Sequence, residues 1–394
     1  MTAPAVAKAR YRRDLVPELD GLRAIAVLLV LWVHLPPLAL GPEMLRLSAA
    51  LQPGAAGVDL FFVLSGFLIT RILLADRQAG LPLRRFMARR CLRIFPIYYL
   101  TLLVMSGGLS SAELWAALSY TSNWVFPFLP GYSAVEHCWS LAVEEQFYLL
   151  WPPVVALLPP QHSRRVLCRL ILPLGLLLPL AAMVFGPWEQ HGDLLTELVL
   201  RASPVCFLIL GLGALVAFAE PRLRGRRRRL CAAAGLALAA SWLFSAPSLR
   251  PFGILPELDA PGVDPAALRS VSVPLSTLSA AFGSLAALLL VLAVEGMAFG
   301  LAPLLRSRIL RGIGRISYGL YLYHLPIFGC PGIWGPDPLA PSCVRVLLVL
   351  GLCMGLAVVS YRMVEKPLLE LGRRARSAAS VDRPESAPAG VPGA

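Results

Sequence analysis

The sequence predicts an all-α membrane protein, a polytopic bundle of about ten transmembrane helices with both termini in the cytoplasm. Two observations carry this prediction. First, 57% of the 394 residues are hydrophobic and only 15% are charged, whereas a soluble domain has about 25% charged residues. Second, apolar stretches of about 18 residues, the length needed to cross a bilayer, recur along the chain.

Ten apolar stretches have the length and composition of membrane spans. An even number of spans places both termini on one side. Only five of the 36 Lys and Arg residues fall on the opposite side, and because cytoplasmic loops carry the excess of Lys and Arg, both termini are predicted to be cytoplasmic. The predicted spans are residues 22–40, 57–74, 94–109, 140–158, 170–186, 203–219, 230–246, 271–294, 316–334 and 343–361.

The spans divide the chain into three parts. Residues 1–21 form a cytoplasmic N-terminal segment, residues 22–365 the ten-span membrane domain, and residues 366–394 a cytoplasmic tail that is first basic and then disordered. The end of the tail is rich in Ser, Ala, Pro and Gly, a composition typical of disordered segments. No second soluble domain is predicted.

Charge and cysteine content exclude two other classes of protein. The formal net charge of +13 does not indicate nucleic-acid binding, because the basic residues lie in short clusters between apolar runs; the lipid bilayer is the expected partner. The eight cysteines form no CxxC pair and no Cys/His spacing, so no metal site is expected. Cys330 and Cys343 flank one predicted outer loop, and the sequence leaves open whether they are bonded.

The first span carries two ionisable side chains, Arg23 and His34. An ionisable group within the bilayer costs about 2–3 kcal/mol or more unless it faces a protein interior or a wet cavity, so such groups usually have a function. The two residues are 11 positions apart, which places them on nearly the same helix face and about 16 Å apart along the axis. The structural alternatives are that Arg23 snorkels to headgroups and that His34 bonds a neighbouring helix.

The next two spans add an acid and a basic pair. Asp59 begins the second span at a depth similar to that of His34, where it could orient or charge-pair the imidazole; the helix dipole alone would also favour an acid there. Arg90 and Arg93, in the inner loop before the third span, are neighbours on one helix face. Paired guanidinium groups suit phosphate recognition, whereas ordinary anchoring of the inner loop is the alternative.

The fourth span carries adjacent acids, Glu144 and Glu145. Adjacent helical residues point about 100° apart, so only one of them faces a given cavity squarely, and the sequence does not say which. A helix dipole could favour acids near this terminus, but two at this depth indicate a function. The ninth span holds Tyr318, Tyr321, Tyr323 and His324, of which the tyrosines also fit an interfacial aromatic belt.

Five segments match a known family in the same order along the chain. They are LDGLRAIAVLLVLWVH, GVDLFFVLSGFLI, FMARRCLRIFPIYY, WSLAVEEQFYLLWP and ISYGLYLYHLP. Together they resemble the acyltransferase-3 family of integral membrane acyltransferases. Members of that family move acyl groups, often acetyl, from acyl-CoA to hydroxyls of sugars, surface polysaccharides, lipids and macrolides. Some carry an appended hydrolase-like domain, and this chain resembles the short form without it.

The resemblance implies an O-acyltransferase in the bacterial cytoplasmic membrane. The donor would be acyl-CoA, acetyl-CoA above all, and the acceptor a hydroxyl on a sugar, a cell-surface glycan or a macrolide. No permanently bound cofactor is implied. The essential histidine of the family maps onto His34, its first-span arginine onto Arg23, and its arginine motif before the third span onto Arg90 and Arg93.

On this hypothesis, neutral His34 is the general base, and a carboxylate among Asp59, Glu144 and Glu145 supports its basicity. The three arginines would bind the CoA phosphates from the cytoplasmic side. The rival hypothesis is a transporter or flippase that moves an acylated or glycosylated substrate without chemistry, since intramembrane ionisable residues also mark proton-coupled carriers. The acceptor, the acyl length and the oligomeric state, a homo-oligomer included, are not readable from the sequence.

Overall fold

A computed structural model describes most of the chain. The described residues are 16–35, 53–131, 133–186, 188–223, 226–243, 265–294, 297, 300–330 and 342–370. They contain helices and turns but no strand, and a helix overlaps each of the ten predicted spans. Five described helices are long and apolar enough to cross a membrane. The prediction of an all-helical fold is therefore confirmed for the described residues, and the five helices have the length and composition of membrane spans. The count of ten spans and the side of the termini stay predictions.

The helices are numbered here in chain order. Short 3₁₀ turns follow α3 and α5, and π-helical turns join α7 to α8 and follow α16. The helices are α1 (Pro17–His34), α2 (Pro53–Gln78), α3 (Leu83–Met105), α4 (Ser111–Leu118), α5 (Ser122–Val125), α6 (Cys138–Leu157), α7 (Pro160–Val166), α8 (Leu172–Phe185), α9 (Trp188–Arg201), α10 (Ser203–Leu223), α11 (Arg227–Leu243), α12 (Pro265–Val294), α13 (Leu301–Leu305), α14 (Arg308–Arg315), α15 (Ser317–Phe328) and α16 (Ser342–Ser360).

Two of the helices differ from the predicted spans in ways that affect the site. Helix α3 begins at Leu83, eleven residues before the predicted span, so Arg90 and Arg93 lie on the same continuous helix as that span, and their position on the inner side stays a prediction. Helix α1 begins at Pro17, a residue that suits the first turn of a helix because its missing N–H has no partner there in any case, and it ends at His34. Arg23 and His34 therefore lie on one continuous helix.

The contact between α2 and α10 holds the centre of the bundle together. A Cβ atom on Gly66 would lie 1.8 Å from the carbonyl oxygen of Leu210, and one on Gly213 would lie 1.9 Å from the carbonyl oxygen of Val63. Small residues let membrane helices approach closely enough for backbone contact. Because the opposing atoms belong to the backbone, only glycine fits at either position.

The N-terminal end of α1 is fixed in a similar way against α13 and α14. A Cβ atom on Gly21 would lie 2.3 Å from the carbonyl oxygen of Leu305, and one on Gly314 would lie 1.9 Å from that of Asp20. Beside this contact the buried carboxylate of Glu18 pairs with Arg306 at 3.4 Å. Glu18, just before the first motif, and Gly21 within it therefore anchor the helix that carries Arg23 and His34.

Replacing Gly213 with valine should separate α2 from α10. Overpacking of this kind costs about 1–3 kcal/mol or more, because a backbone atom cannot rotate away. We expect a lower melting temperature and less monodisperse protein on size-exclusion chromatography in detergent. Gly235→Val on α11 is the matched control, since nothing lies within 4 Å of a Cβ atom there. Equal stability of the two variants would contradict the packing described.

Candidate active site

Three helices, α1, α6 and α15, each contribute to two clusters of polar residues at different heights in the bundle. The first cluster, called here the arginine–glutamate cavity, has a volume of about 30 Å³. The second, called the histidine cluster, consists of His34, His137 and His324. The residues that line the cavity are Arg23, Arg90, Arg93, Ile94, Leu141, Glu144, Glu145, Tyr148 and Tyr318.

The helices set the separation between the two clusters. Arg23 and His34 are 11 residues apart on α1, which corresponds to about 16 Å. On α6, His137 comes seven residues before Glu144, or about 10 Å along the axis. Because α6 meets the histidine cluster at its beginning whereas α1 meets it at its end, the two helices run in opposite directions. The two clusters therefore lie at different positions along the axes of the same helices.

The two adjacent acids, Glu144 and Glu145, have different surroundings in the structure. Glu144 accepts hydrogen bonds from the hydroxyls of Ser65, at 2.7 Å, and Tyr148, at 3.0 Å. Glu145 makes no hydrogen bond to any described residue, although it lines the same cavity. Glu144 is thus held in place, and Glu145 is the carboxylate available to a ligand.

The three arginines of the cavity make no hydrogen bond or ion pair within the described part of the chain. The guanidinium of Arg90 instead lies over the ring of Tyr148, with its central carbon 4.7 Å from the ring centroid. The neighbouring Arg89, which does not line the cavity, forms an ion pair with Asp76. The same cavity holds three guanidinium groups but only two carboxylates, those of Glu144 and Glu145. Because cations within a protein are normally paired, this surplus of positive charge indicates a site for an anion.

The histidine cluster brings together rings from three helices. The ring centroids of His34 and His324 are 4.9 Å apart, and those of His137 and His324 are 5.0 Å apart. His137 and His324 are almost fully buried, with 3% and 0% of their surface exposed, whereas His34 is half-buried. His34 is therefore the member of the cluster that a substrate reaches most readily.

Backbone carbonyls fix the tautomer of each ring, since a carbonyl oxygen only accepts. His34 donates from Nδ1 to Val30 at 2.8 Å, and His324 donates from Nδ1 to Tyr321 at 2.6 Å. His137 donates from Nε2 to Leu322 at 3.1 Å. In the neutral rings, the other nitrogens are proton acceptors. His34 thus presents Nε2 as a base.

A proline explains why the carbonyl of Leu322 is free to accept. Within α15, the regular partner of this carbonyl would be the backbone N–H of residue 326, but Pro326 has no N–H. His137 fills the vacant position across the helix interface. The Tyr321 hydroxyl joins the same two helices, with its oxygen 2.5 Å from that of Ser140.

The structure brings five of the predicted site residues into one cavity but does not bring Asp59 to His34. No hydrogen bond or ion pair joins these two residues, and no carboxylate in the described ranges pairs with His34. The role assigned to Asp59 stays a prediction. The question of a disulfide between Cys330 and Cys343 lies outside the described residues, since the side chain of Cys343 is not among them.

Sequence reasoning missed His137 and the hydroxyls that hold Glu144. His137 lies two residues before the quoted fourth motif, precedes the apolar run and carries no periodic signal. The one available signal was indirect, because Pro326 leaves a carbonyl on another helix without a donor. Only the packing of α6 against α15 shows that His137 supplies it.

Comparison with known proteins matches the site to a family. A family model described as "Acyltransferase domain" matches residues 16–362. The chain belongs to the acyltransferase-3 family. This range includes every residue of the arginine–glutamate cavity and of the histidine cluster.

Curated relatives of this family member come from bacteria. The chain is 29% identical to "Peptidoglycan O-acetyltransferase OatA" of Listeria monocytogenes, over 92% of this chain and 57% of the relative. It is 30% identical to "Putative peptidoglycan O-acetyltransferase YrhL" of Bacillus subtilis, over 92% and 56%. It is 27% identical to "Putative O-acetyltransferase SACOL0978" of Staphylococcus aureus, over 93% and 59%. The chain therefore spans little more than half the length of these relatives. No solved structure matches it.

The bond between His137 and the Leu322 carbonyl predicts a coupled pair of mutations. His137→Ala should lower the melting temperature, because an unsatisfied buried carbonyl costs about 1–3 kcal/mol. Pro326→Ala restores an N–H to residue 326, so the double variant should lose less stability than the sum of the single variants. Melting curves of the four proteins in one detergent measure the coupling, and strictly additive losses would contradict the proposed satisfaction of this carbonyl.

Proposed function

We propose that the protein is a multi-pass O-acyltransferase of the bacterial cytoplasmic membrane. It transfers an acyl group, acetyl above all, from acyl-CoA to a hydroxyl of a cell-wall glycan. The observation that carries the proposal is the arrangement of two clusters on the same helices: an anion site of three unpaired arginines and, about 16 Å away along α1, an imidazole with a free basic nitrogen.

The arginines are suited to the phosphates of the donor. Guanidinium groups bind phosphate oxygens through paired, charge-assisted hydrogen bonds. A cavity of about 30 Å³ holds water molecules or a few atoms of a narrow chain, but not a nucleotide. The nucleotide would thus stay at the cytoplasmic mouth, and the extended pantetheine arm would pass the cavity and carry the thioester toward His34.

The two glutamates have separate roles in this proposal. Glu144 orients Tyr148 by accepting a hydrogen bond from its hydroxyl, and the Tyr148 ring in turn packs against the guanidinium of Arg90. Glu145 has no such bond and accepts a hydrogen bond from an amide N–H of the passing arm. One acid therefore positions the anion site, and the other binds donor.

The chemistry takes place at His34. Its Nε2 takes the proton from the acceptor hydroxyl as the oxygen attacks the thioester carbonyl. The carbon–sulfur bond then breaks, and the proton passes from His34 to the departing sulfur, which leaves as the CoA thiol. A site inside the bundle keeps out the water that would otherwise hydrolyse the thioester.

The acceptor class follows from the relatives. Two of the named relatives are peptidoglycan O-acetyltransferases, one of them putative, and their similarity extends over the whole described site. A glycan of the cell wall is therefore the proposed acceptor. The macrolide acceptor that the family resemblance also implies has no counterpart among these names.

His34→Ala should abolish acyl transfer. A general base contributes about 10²–10⁴-fold to the rate, so we expect a loss of that size in the release of free CoA thiol by membranes given labelled acetyl-CoA and peptidoglycan fragments. His162→Ala, which changes an exposed histidine on α7, is the control. Retention of the wild-type rate by His34→Ala would remove the base assignment, and glycan transport without release of thiol would favour a carrier.

The double variant Arg90→Ala, Arg93→Ala should raise the apparent KM for acetyl-CoA by tenfold or more, because two phosphate contacts are lost. Steady-state kinetics on purified protein at varied acetyl-CoA measure this. Arg84→Ala is the control, since Arg84 lies exposed on the same helix away from the cavity. A donor KM equal to that of wild type would contradict the role of these arginines in binding phosphate.

A further inference from the structure

The base of the proposed reaction has no acidic partner. In many catalytic sites a carboxylate stabilises the histidine cation that forms when the base takes a proton. Here the Nδ1–H of His34 points to the carbonyl of Val30, and none of the described carboxylates pairs with the ring. A cation formed on His34 therefore has to be stabilised by another neighbour.

The neighbour in contact with His34 is the ring of His324. Its side chain is fully buried, its Nδ1 is committed to the Tyr321 carbonyl, and its Nε2 has no hydrogen-bond partner. A buried nitrogen without a partner destabilises the fold. Such orphaned groups are rare in native proteins, and each calls for an explanation.

The distance between the rings allows a hydrogen bond between them. The centroids of His34 and His324 are 4.9 Å apart, with the ring planes at 63°. Because a ring nitrogen lies about 1.2 Å from the centroid of its ring, two rings at this separation are close enough for one nitrogen of each to come within hydrogen-bond distance of the other.

We propose that His324 is the proton-sharing partner of His34 in acyl transfer. This inference rests on the proposed function. When the acceptor O–H bond breaks and the new O–C bond forms, Nε2 of His34 takes up the proton. The new Nε2–H of the cation then donates to the Nε2 lone pair of His324, while Nδ1–H stays on the Val30 carbonyl. The C–S bond breaks, and the same proton then moves to the sulfur as the CoA thiol leaves. No oxidant or further reactant is needed.

His324 therefore acts through His34 and is a positioning residue. It does not touch the donor or the acceptor in this scheme. Its loss should lower kcat without changing the KM for either substrate, because the neutral resting enzyme binds both before any proton moves. The third ring, His137, lies 5.0 Å behind His324 and is held by the carbonyl of Leu322.

Two amide substitutions separate this role from a purely structural one. In His324→Asn, the amide N–H replaces Nδ1–H and keeps the bond to the Tyr321 carbonyl, but nothing replaces the Nε2 acceptor. In His324→Gln, the longer amide brings an acceptor oxygen to the position of Nε2 and loses the bond to Tyr321. Proton sharing predicts that kcat decreases in the order wild type, His324→Gln, His324→Asn, and a structural role predicts that the two variants are reversed.

The experiment measures kcat and both KM values with acetyl-CoA and peptidoglycan fragments, per folded protein on size-exclusion chromatography. We expect kcat of His324→Asn to fall about 10- to 100-fold, within the range that proton transfer contributes, with both KM values unchanged. His162→Asn, at the exposed histidine on α7, is the matched control. A His324→Asn variant as active as wild type, or more active than His324→Gln, would overturn the inference.

The outcomes also separate this inference from the function on which it rests. A wild-type protein that consumes no acetyl-CoA overturns the proposed function, and the role of His324 with it. A wild-type protein that is active beside an unaffected His324→Asn overturns the role of His324 alone. Should His324→Asn fail to accumulate, His324→Gln decides: a kcat between those of wild type and His34→Ala, with both KM values unchanged, supports proton sharing, and a kcat equal to either contradicts the inference.

Discussion

The structure depends on one constraint: a polar group inside a membrane bundle has to find its partner within the protein, because the surrounding hydrocarbon supplies none. Most buried polar groups near the site meet this condition. Glu18 pairs with Arg306, Glu144 accepts two hydroxyl hydrogen bonds, and the Leu322 carbonyl accepts from His137. The cavity arginines, Glu145 and Nε2 of His324 lack such a partner among the described residues. These groups are therefore the candidates for binding a ligand or a proton.

Those groups fall at two heights in the bundle. At one height, three guanidinium groups surround a small cavity beside a carboxylate without a hydrogen bond to the described residues. At the other height, imidazoles present basic nitrogens, and one of them is half-buried. The proposed function uses this division, because one height would bind the charged part of a donor and the other would take the proton of an acceptor.

Close helix contacts keep the two heights in register. Glycine at positions 21, 66, 213 and 314 lets backbones touch, so the helices have little freedom to slide. A shift of α1 by one turn would move His34 by about 5.4 Å and separate it from His324. These four glycines thus serve the proposed chemistry indirectly, by fixing the position of the helix that carries His34.

Much of this protein could be predicted from its sequence. The all-helical membrane class follows from apolar runs of bilayer length, and the shared face of Arg23 and His34 follows from the pitch of a helix. That Arg90, Arg93 and the two glutamates line one cavity was not predicted, because local periodicity contains no information about which helices are neighbours.

Tertiary structure decided the rest. The beginning of α3 at Leu83 and the different surroundings of Glu144 and Glu145 depend on packing between distant segments. The neighbour of His34 is the clearest case: the imidazole of His324, about 290 residues further along the chain, has its ring centroid 4.9 Å from that of His34. The support of His34 by a carboxylate stays a prediction. Sequence alone determines which side chains a helix presents and at what height. Which of these side chains come into contact depends on how the helices pack against one another. That packing includes close backbone contacts that only glycine permits.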